Sequence, residues 1–347
     1  MRSIAAVLLA LATLTACTSS NSAIDKSSSR GDQQPLWLEN PREVFPEARY
    51  LSAVGYGVDR ETAEKNALGQ LVAIFGQTVS GETVVSSRYT EAVRAGKILV
   101  EEGSAVQQAV TSSWEHETVI GAEIRDTWFD GNRTTYAVAV MDKSRAMVQY
   151  SELIESNESA IRKLTAVSPD QQYTLESYAR FDLAVSIAET NAGFLSILSV
   201  VSPGAAAARR SSMKPPEELR LQCRTIAEHI PIAILVENDR DDRIRGAFAA
   251  VVSDAGFKVA ESDTRYSIRA VVRFSEADLP RNPNKFVRYQ VDAALSDSEK
   301  EPSVMPYNIT GREGHATVEE AEQRAVRAAE KKIRSGFAER FIEFLSR

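Results

Sequence analysis

The first seventeen residues restrict this chain more than any later stretch does. One positive charge, Arg2, precedes an unbroken apolar run from Ile4 to Ala12, and Leu14-Thr15-Ala16 stands directly before Cys17. A charge, a short apolar stretch and then small residues is the order of a secretory signal. A thiol on the residue after the cut is what lipoprotein processing needs to carry a diacylglyceryl group. The apolar run falls well short of the ~20 residues a spanning helix requires. Residues 1–16 are therefore expected to be a removed signal peptide and Cys17 the lipidated N-terminus. Two or three acyl chains, each buried methylene contributing ~0.8 kcal/mol, hold a protein to a bilayer far more firmly than one chain does. Everything after Cys17 must then fold in water.

Thr18 to Gln34 is rich in Ser and Asn, with Ile24 as its one large apolar residue. Such a segment buries too little surface to order itself, so residues 17–34 read as a disordered tether from the lipidated cysteine. Beyond Cys17 only Cys223 remains, so no intramolecular disulfide can form and stability must come from packed cores. The remainder exceeds 300 residues, a length at which one core usually gives way to two. The formal charge of −7 becomes about −8 once Arg2 is removed with the signal. Basic residues are scattered among acids, which gives nucleic-acid binding no support.

Along the chain, Trp37 to Phe45 holds two large apolar anchors around a proline and reads as an extended arm. A strand, Tyr50 to Tyr56, follows. Ala63, Ala67, Leu71 and Phe75 then fall four apart, which marks an amphipathic helix with Asp59 as its N-cap. Glu82 to Tyr89 has strand character, and Ile98 to His116 contains a helix. Val119 to Phe129 and Arg133 to Met141 flank Asp130-Gly131, the signal of a hairpin with a tight turn. Two helices, Asp142 to Leu164 and Leu175 to about Val201, should pair as an antiparallel hairpin against this first unit. Gly204 to Pro216 reads as a linker.

The rest gives a helix (Glu217 to His229), a strand (Ile232 to Val236), a helix (Arg243 to Ala255), four further strands (Lys258 to Glu261, Tyr266 to Phe274, Phe286 to Leu295, Tyr307 to Gly311) and a final helix from Thr317 to Leu345. Thr317 and Glu320 form a capping box. Asp59 to Ala67 and Thr317 to Ala325 echo each other in cap, glutamates and alanines, which reads best as shared helix–sheet packing chemistry. The expected fold is α+β. Two small modules, residues 35–142 and 217–347, are joined by a helical hairpin over 143–203 and a linker over 204–216.

Chemistry-bearing motifs are sparse. Tyr50 to Glu61, "YLSAVGYGVDRE", passes from strand through G-x-G to helix, but a dinucleotide fingerprint needs a third small residue where Arg60 stands. Gly55 and Gly57 read as bend positions where a strand meets a helix. His116, His229 and His315 lie far apart and outside any metal-ligand spacing. Glu237 to Asp242, "ENDRDD", lacks the glycine and terminal glutamate of a calcium loop, so it reads as a strand-to-helix loop whose aspartates favour the next helix's N-terminus. Cys223 lies on an amphipathic helix beside Leu219 and Ile226 and reads as a small core residue. No catalytic residue, cofactor site or metal site is assigned, and the chain is expected not to be an enzyme.

The lipobox, Pro35-Leu36-Trp37 and the block "YLSAVGYGVDRETAEKNAL" together resemble the LPP-twenty lipoprotein domain family of bacterial envelopes. There an aliphatic strand ends in G-x-G and runs into an Ala-rich helix. Val54, Gly55, Gly57, Ala63, Ala67 and Leu68 match, and the resemblance covers about Pro35 to Met141. It implies a periplasmic or surface lipoprotein without known catalysis, and its domain also looks like part of a flagellar T-ring protein. By element order alone, residues 230–347 are similar to the modules of curli-secretion-type envelope lipoproteins, an analogy of architecture.

The function expected is that of a non-enzymatic, lipid-anchored outer-membrane protein acting in envelope structure or assembly. Its partners would be the membrane, through its N-terminal acyl chains, and an envelope protein or the cell wall. Thr18 after Cys17 favours the outer membrane. The alternative is a lipid- or small-molecule-binding lipoprotein, with Tyr178, Phe181 and Phe194 lining a pocket between the helical hairpin and the first sheet.

Overall fold

The computed structural model describes residues 34–76, 87–94, 119–262, 264–277, 279, 282–300 and 304–346. Cys17, the signal, all of the tether before Gln34, the helix expected over residues 98–116 and His116 lie outside them. The fold is α+β, with two sheets and a helical hairpin between them.

The first sheet has the order β1-β3-β2 and is antiparallel throughout, with β1 at Tyr50–Gly57, β2 at Ala122–Phe129 and β3 at Thr135–Asp142. Helix α3 (Arg60–Ala73) packs on one face through Ala63, Ala67 and Leu71, all fully buried. Asp59 caps it, its carboxylate accepting the Thr62 amide at 2.8 Å. The glycines differ from expectation, since both belong to β1 itself. A Cβ on Gly55 would sit 2.1 Å from the Ala67 nitrogen, and one on Gly57 would sit 2.7 Å from the Ala63 nitrogen. They remove side-chain bulk so that helix backbone can lie directly on strand backbone.

The arm is also corrected. Its anchors hold, Trp37 and Phe45 being buried against Val138 and Val140 on the sheet's other face. Its backbone, however, forms two helical turns, α1 (Leu36–Glu39) and α2 (Pro41–Val44), because Pro41 is suited to a first helical position. Residues 87–94 form helix α4, so the end of the strand expected over 82–89 is helical; residues 82–86 lie outside the described residues. The hairpin turn is a five-residue loop rather than a two-residue one. Asp130 accepts the amides of Asn132, Arg133 and Thr134 at 2.8, 3.0 and 3.0 Å, and these bonds hold its carboxyl below the usual range.

Helix α5 (Lys143–Thr165) and helix α6 (Leu175–Val201) pair as expected. The stretch expected as linker begins with a helix, α7 (Pro203–Arg210), in which Ala206 is buried and Arg209 pairs with Glu155 at 2.8 Å. An alanine run after a proline favours helix over open loop. Helix α8 (Pro216–Glu228) then lies along α6.

The second sheet is mixed, in the order β5-β4-β6-β7-β8: β4 at Pro231–Glu237, β5 at Lys258–Ala260, β6 at Tyr266–Ala277, β7 at Lys285–Asp297 and β8 at Met305–His315. Helix α9 (Arg243–Asp254) makes the crossover between parallel β4 and β5. Helix α10 (Val318–Lys332) covers β7 and β8, burying Ala321, Ala325 and Ala329 as α3 buries its alanines. Only half the capping box forms. The Glu320 amide donates to the Thr317 hydroxyl at 3.3 Å, while the Glu320 carboxylate accepts that hydroxyl and faces His315.

The final helix is also interrupted. Residues Ile333–Phe337 form a π turn before α11 (Ala338–Leu345). The Tyr307 hydroxyl donates to the Lys332 carbonyl at 2.8 Å beside that turn. The turn places Phe337 edge-on to both Phe248 and Tyr307. The larger buried core extends from Ala63 to Leu345, and a smaller one of Trp37, Phe45, Val138 and Val140 lies under the arm.

Gly55 offers a direct check. Gly55→Ala should lower stability by about 2–3 kcal/mol, the upper end of overpacking costs. Gly69→Ala, in helix α3 with open space at its Cβ, should raise it by about 0.5–1 kcal/mol. Chemical denaturation of the two variants measures both.

Candidate functional site

On the face of the first sheet opposite α3, strand alternation brings Tyr56, Tyr136 and Trp128 into one row. Tyr56 stands opposite Tyr136, and Tyr136 opposite Trp128. Ring centroids are 6.3 Å apart in the first pair and 5.7 Å in the second, with tilted planes. A bulge at Arg125 makes the row possible. It lets Ala122 and Ile124 face the helix side while Asp126 and Trp128 face the other; without it a one-residue slip would turn one of these sets over.

The arm covers the neighbouring part of the same face. The Trp37 indole donates to Asp126 at 2.9 Å. Arg49 pairs with Asp142 at 3.0 Å, and the Lys143 amide donates to the Arg49 carbonyl at 2.8 Å. The aromatic row lies beyond this cover. Tyr56 is 67% exposed, and Val58 at 81% and Phe129 at 53% sit at the same end of the sheet. The Trp128 Nε1 has no hydrogen-bond partner among the described residues. The Trp128 nitrogen is buried, so what the row presents is ring area together with tyrosine hydroxyls, a combination by which aromatic side chains recognise partners.

The other sequence-flagged residues stay apart. His229 stacks on Tyr173 at 4.6 Å and donates from Nδ1 to the Thr225 carbonyl at 2.7 Å, while His315 faces Glu320. In the acidic loop, Asp239 accepts the Ile244 and Arg245 amides at 3.2 and 2.7 Å. Arg240 and Arg243 reach across to Glu322 and Glu330 on α10 at 2.7 and 3.0 Å. The loop therefore joins strand to helix as expected. Among the described residues no cluster of acids, histidines and cysteines has the makings of a metal site. Cys223 is buried, its thiol 3.9 Å from the Tyr178 carbonyl.

Two grooves flank the C-terminal helix α11, with volumes of about 420 and 380 Å³. The first is lined by Tyr178, Asp182, Arg334 and Phe341, the second by Arg180, Leu183, Tyr266 and Phe344. Of the three aromatics expected to line a pocket between the hairpin and the first sheet, Tyr178 lines a groove elsewhere, beside α11. Phe181 is buried, and Phe194 packs at 6.2 and 5.6 Å from the rings of Tyr89 and Tyr150.

A buried polar network, which sequence patterning did not reveal, crosses the helical hairpin. The Tyr89 hydroxyl donates to Asn157 at 2.9 Å, Asn157 to Asn191 at 2.7 Å, and Asn191 to Glu158 at 3.1 Å. Both asparagines are fully buried. Burial raises the Glu158 pKa above its ordinary value, against the lowering effect of the Asn191 bond.

Residues 35–142 match the LPP20 lipoprotein family. The aromatic row, the arm and the glycine–alanine contact all lie within this LPP20 segment. The secreted protein HP1454 of Helicobacter pylori is 11% identical, covering 82% of this chain and 96% of its own, with a TM-score of 0.42. A candidate lipoprotein of Caulobacter crescentus CB15 is 17% identical over 32% of this chain and 90% of its own, with a TM-score of 0.26. A minor lipoprotein of Acinetobacter baumannii is 14% identical over 33% and 90%, with a TM-score of 0.24. No curated protein matches the chain.

The Glu158 carboxyl makes a pH prediction. A folded-state pKa above the unfolded one means the native state keeps its proton longer as pH rises. The stability it contributes in acid is lost as pH climbs from the unfolded value through the folded one. Glu158→Gln keeps an oxygen for Asn191 and removes the charge. The gain in Tm of Glu158→Gln over wild type should therefore be larger near pH 7 than near pH 4, where the carboxyl is already protonated.

Proposed function

We propose that this chain is a non-catalytic lipoprotein of the bacterial envelope, held to the outer membrane by acyl chains on Cys17, whose LPP20 segment docks an envelope protein. The match to the LPP20 family supports the lipoprotein character. The docking reading rests on one observation. Tyr56 stands exposed beyond the arm, with the half-buried rings of Tyr136 and Trp128 beside it, on a sheet face that the fold otherwise covers with Trp37 and Phe45. Large aromatic side chains are enriched in protein interfaces and carry much of their binding energy.

A second reading draws on the grooves beside α11. Their size falls within the range of small-molecule sites, and their apolar lining with a few charged groups suits a lipid or other amphipathic ligand.

Two measurements test the first reading. Metabolic labelling with a fatty acid should mark the wild type and not Cys17→Ser; labelling of both would remove the anchor. A photoreactive phenylalanine analogue in place of Tyr56 should give a discrete heavier adduct in intact cells, reduced several-fold when Trp128→Ala is added. The same analogue at Ile342, on the exposed side of α11, should not give that adduct. Recovery of monomer alone from the Tyr56 position would refute docking at this row.

A further inference from the structure

The second sheet carries helices on one face only. Along β6, β7 and β8 the inward residues, such as Ile268, Val291 and Tyr307, are buried, whereas the opposite face is largely polar. Cross-strand register sets that face out in rows: Ser275, Arg288 and Arg312; then Arg273, Gln290 and Thr310; then Val271, Asp292 and Asn308; then Arg269, Ala294 and Pro306. Arg269, Arg273, Arg288, Asn308, Thr310 and Arg312 are all exposed. Asp292 is the one carboxylate in these rows, and it is engaged by Arg273 at 2.5 Å and by Gln290 at 2.7 Å.

Arg288 and Arg312 stand directly opposite each other on adjacent strands. Neither has a carboxylate partner among the described residues, and Arg312 lies over the Phe286 ring at 5.6 Å. Like charges directly opposite on a sheet destabilise it unless something neutralises them. A chain with a net charge of −7 has acids in excess, yet none of its described carboxylates is paired with either arginine.

We infer that this face is a membrane-apposing surface, on which Arg273, Arg288 and Arg312 take the phosphates of anionic phospholipids in the bilayer that holds the acyl anchor. Guanidinium groups match phosphate oxygens in pairs, and Ser275, Gln290 and Thr310 add neutral donors between them. Chain length favours the membrane over a distant anion. Gln34 stands seventeen positions after Cys17, and a segment of that length reaches at most about 60 Å even when fully extended. An anchored body therefore stays beside the bilayer, where a weak second contact gains from high effective concentration. This inference rests on the anchoring proposed above.

The test uses the full-length lipidated protein on vesicles of phosphatidylcholine alone or with phosphatidylglycerol. An environment-sensitive fluorophore is placed at Thr310→Cys on the sheet face, or at Ser253→Cys on α9 as a control. The protein should float with both vesicles. The label at position 310 should shift to the blue only with phosphatidylglycerol and lose that shift at about 0.5 M salt, where charges on the surface are screened. Arg288→Gln with Arg312→Gln should cut the membrane-apposed fraction relative to the free one by roughly twenty-five-fold, two surface arginines each contributing about a factor of five. Arg288→Lys with Arg312→Lys should keep most of it.

Flotation without any shift at position 310, an equal shift on phosphatidylcholine, or an equal shift at position 253 would each overturn the inference. A shift produced by inorganic phosphate without vesicles would assign the face to a small free anion and overturn the membrane source. Failure to float on either vesicle would remove the anchoring itself, and this inference with it.

Discussion

Helix α6 is apolar on nearly every side, and the fold encloses it. Its length and composition are those of a membrane-crossing segment, yet most of its surface is buried inside the protein. Enclosure dictates the architecture. Helices α4, α5, α7, α8 and α11 surround it, and the two sheets with their own helices close the shell. Apolar packing alone would leave α5 free to slide along α6, since leucines and isoleucines interchange with little penalty. The Asn157–Asn191 pair removes that freedom. Any shift in register would strand two buried amides, at about 1–3 kcal/mol for each unsatisfied group.

Both modules place small residues where a helix meets a sheet, and this local device was legible in the sequence. Alanines four apart after a capping Asp59 or Thr317 mark one helical face, whatever lies beneath it. Strand alternation over 266–274 and 286–295 was equally plain, as was the hairpin around Asp130. The features that stayed hidden depend on distant partners. The arm's helical turns are held by a sheet whose central strand comes about a hundred residues later. The π turn at Ile333–Phe337 sits against Tyr307 and Phe248, neither of which has any sequence signature pointing there. Gly55 and Gly57 were noticed as glycines, but their purpose needed the position of the Ala67 nitrogen.

The same division applies to the surfaces. Tyr56, Trp128 and Tyr136 carry no shared motif, and only the register of three strands, corrected by a one-residue bulge, makes them a row. A signal did exist in the hairpin. Trp128 and Tyr136 flank its turn at matching distances, so a correct register would have paired them. The arginines are harder to see. Arg269 and Arg273 lie on one face by period two, but Arg288 and Arg312 become neighbours only through two antiparallel pairings. Scattered basic residues in a sequence can therefore still gather in space, and net charge by itself does not report on a local face.

Each sheet in this protein is left with one face that helices do not fully cover, and the two faces differ in chemistry. The first is aromatic, with few charges and the exposed ring of Tyr56 at its edge. The second is flat and polar, with guanidinium groups exceeding carboxylates. Such surfaces select different company. Rings that lose water on contact suit another protein's apolar patch, where desolvation is favourable. Guanidinium groups are weakly hydrated for their charge and suit phosphates, which remain partly wet when bound. Because the faces belong to different sheets, occupying one leaves the other open.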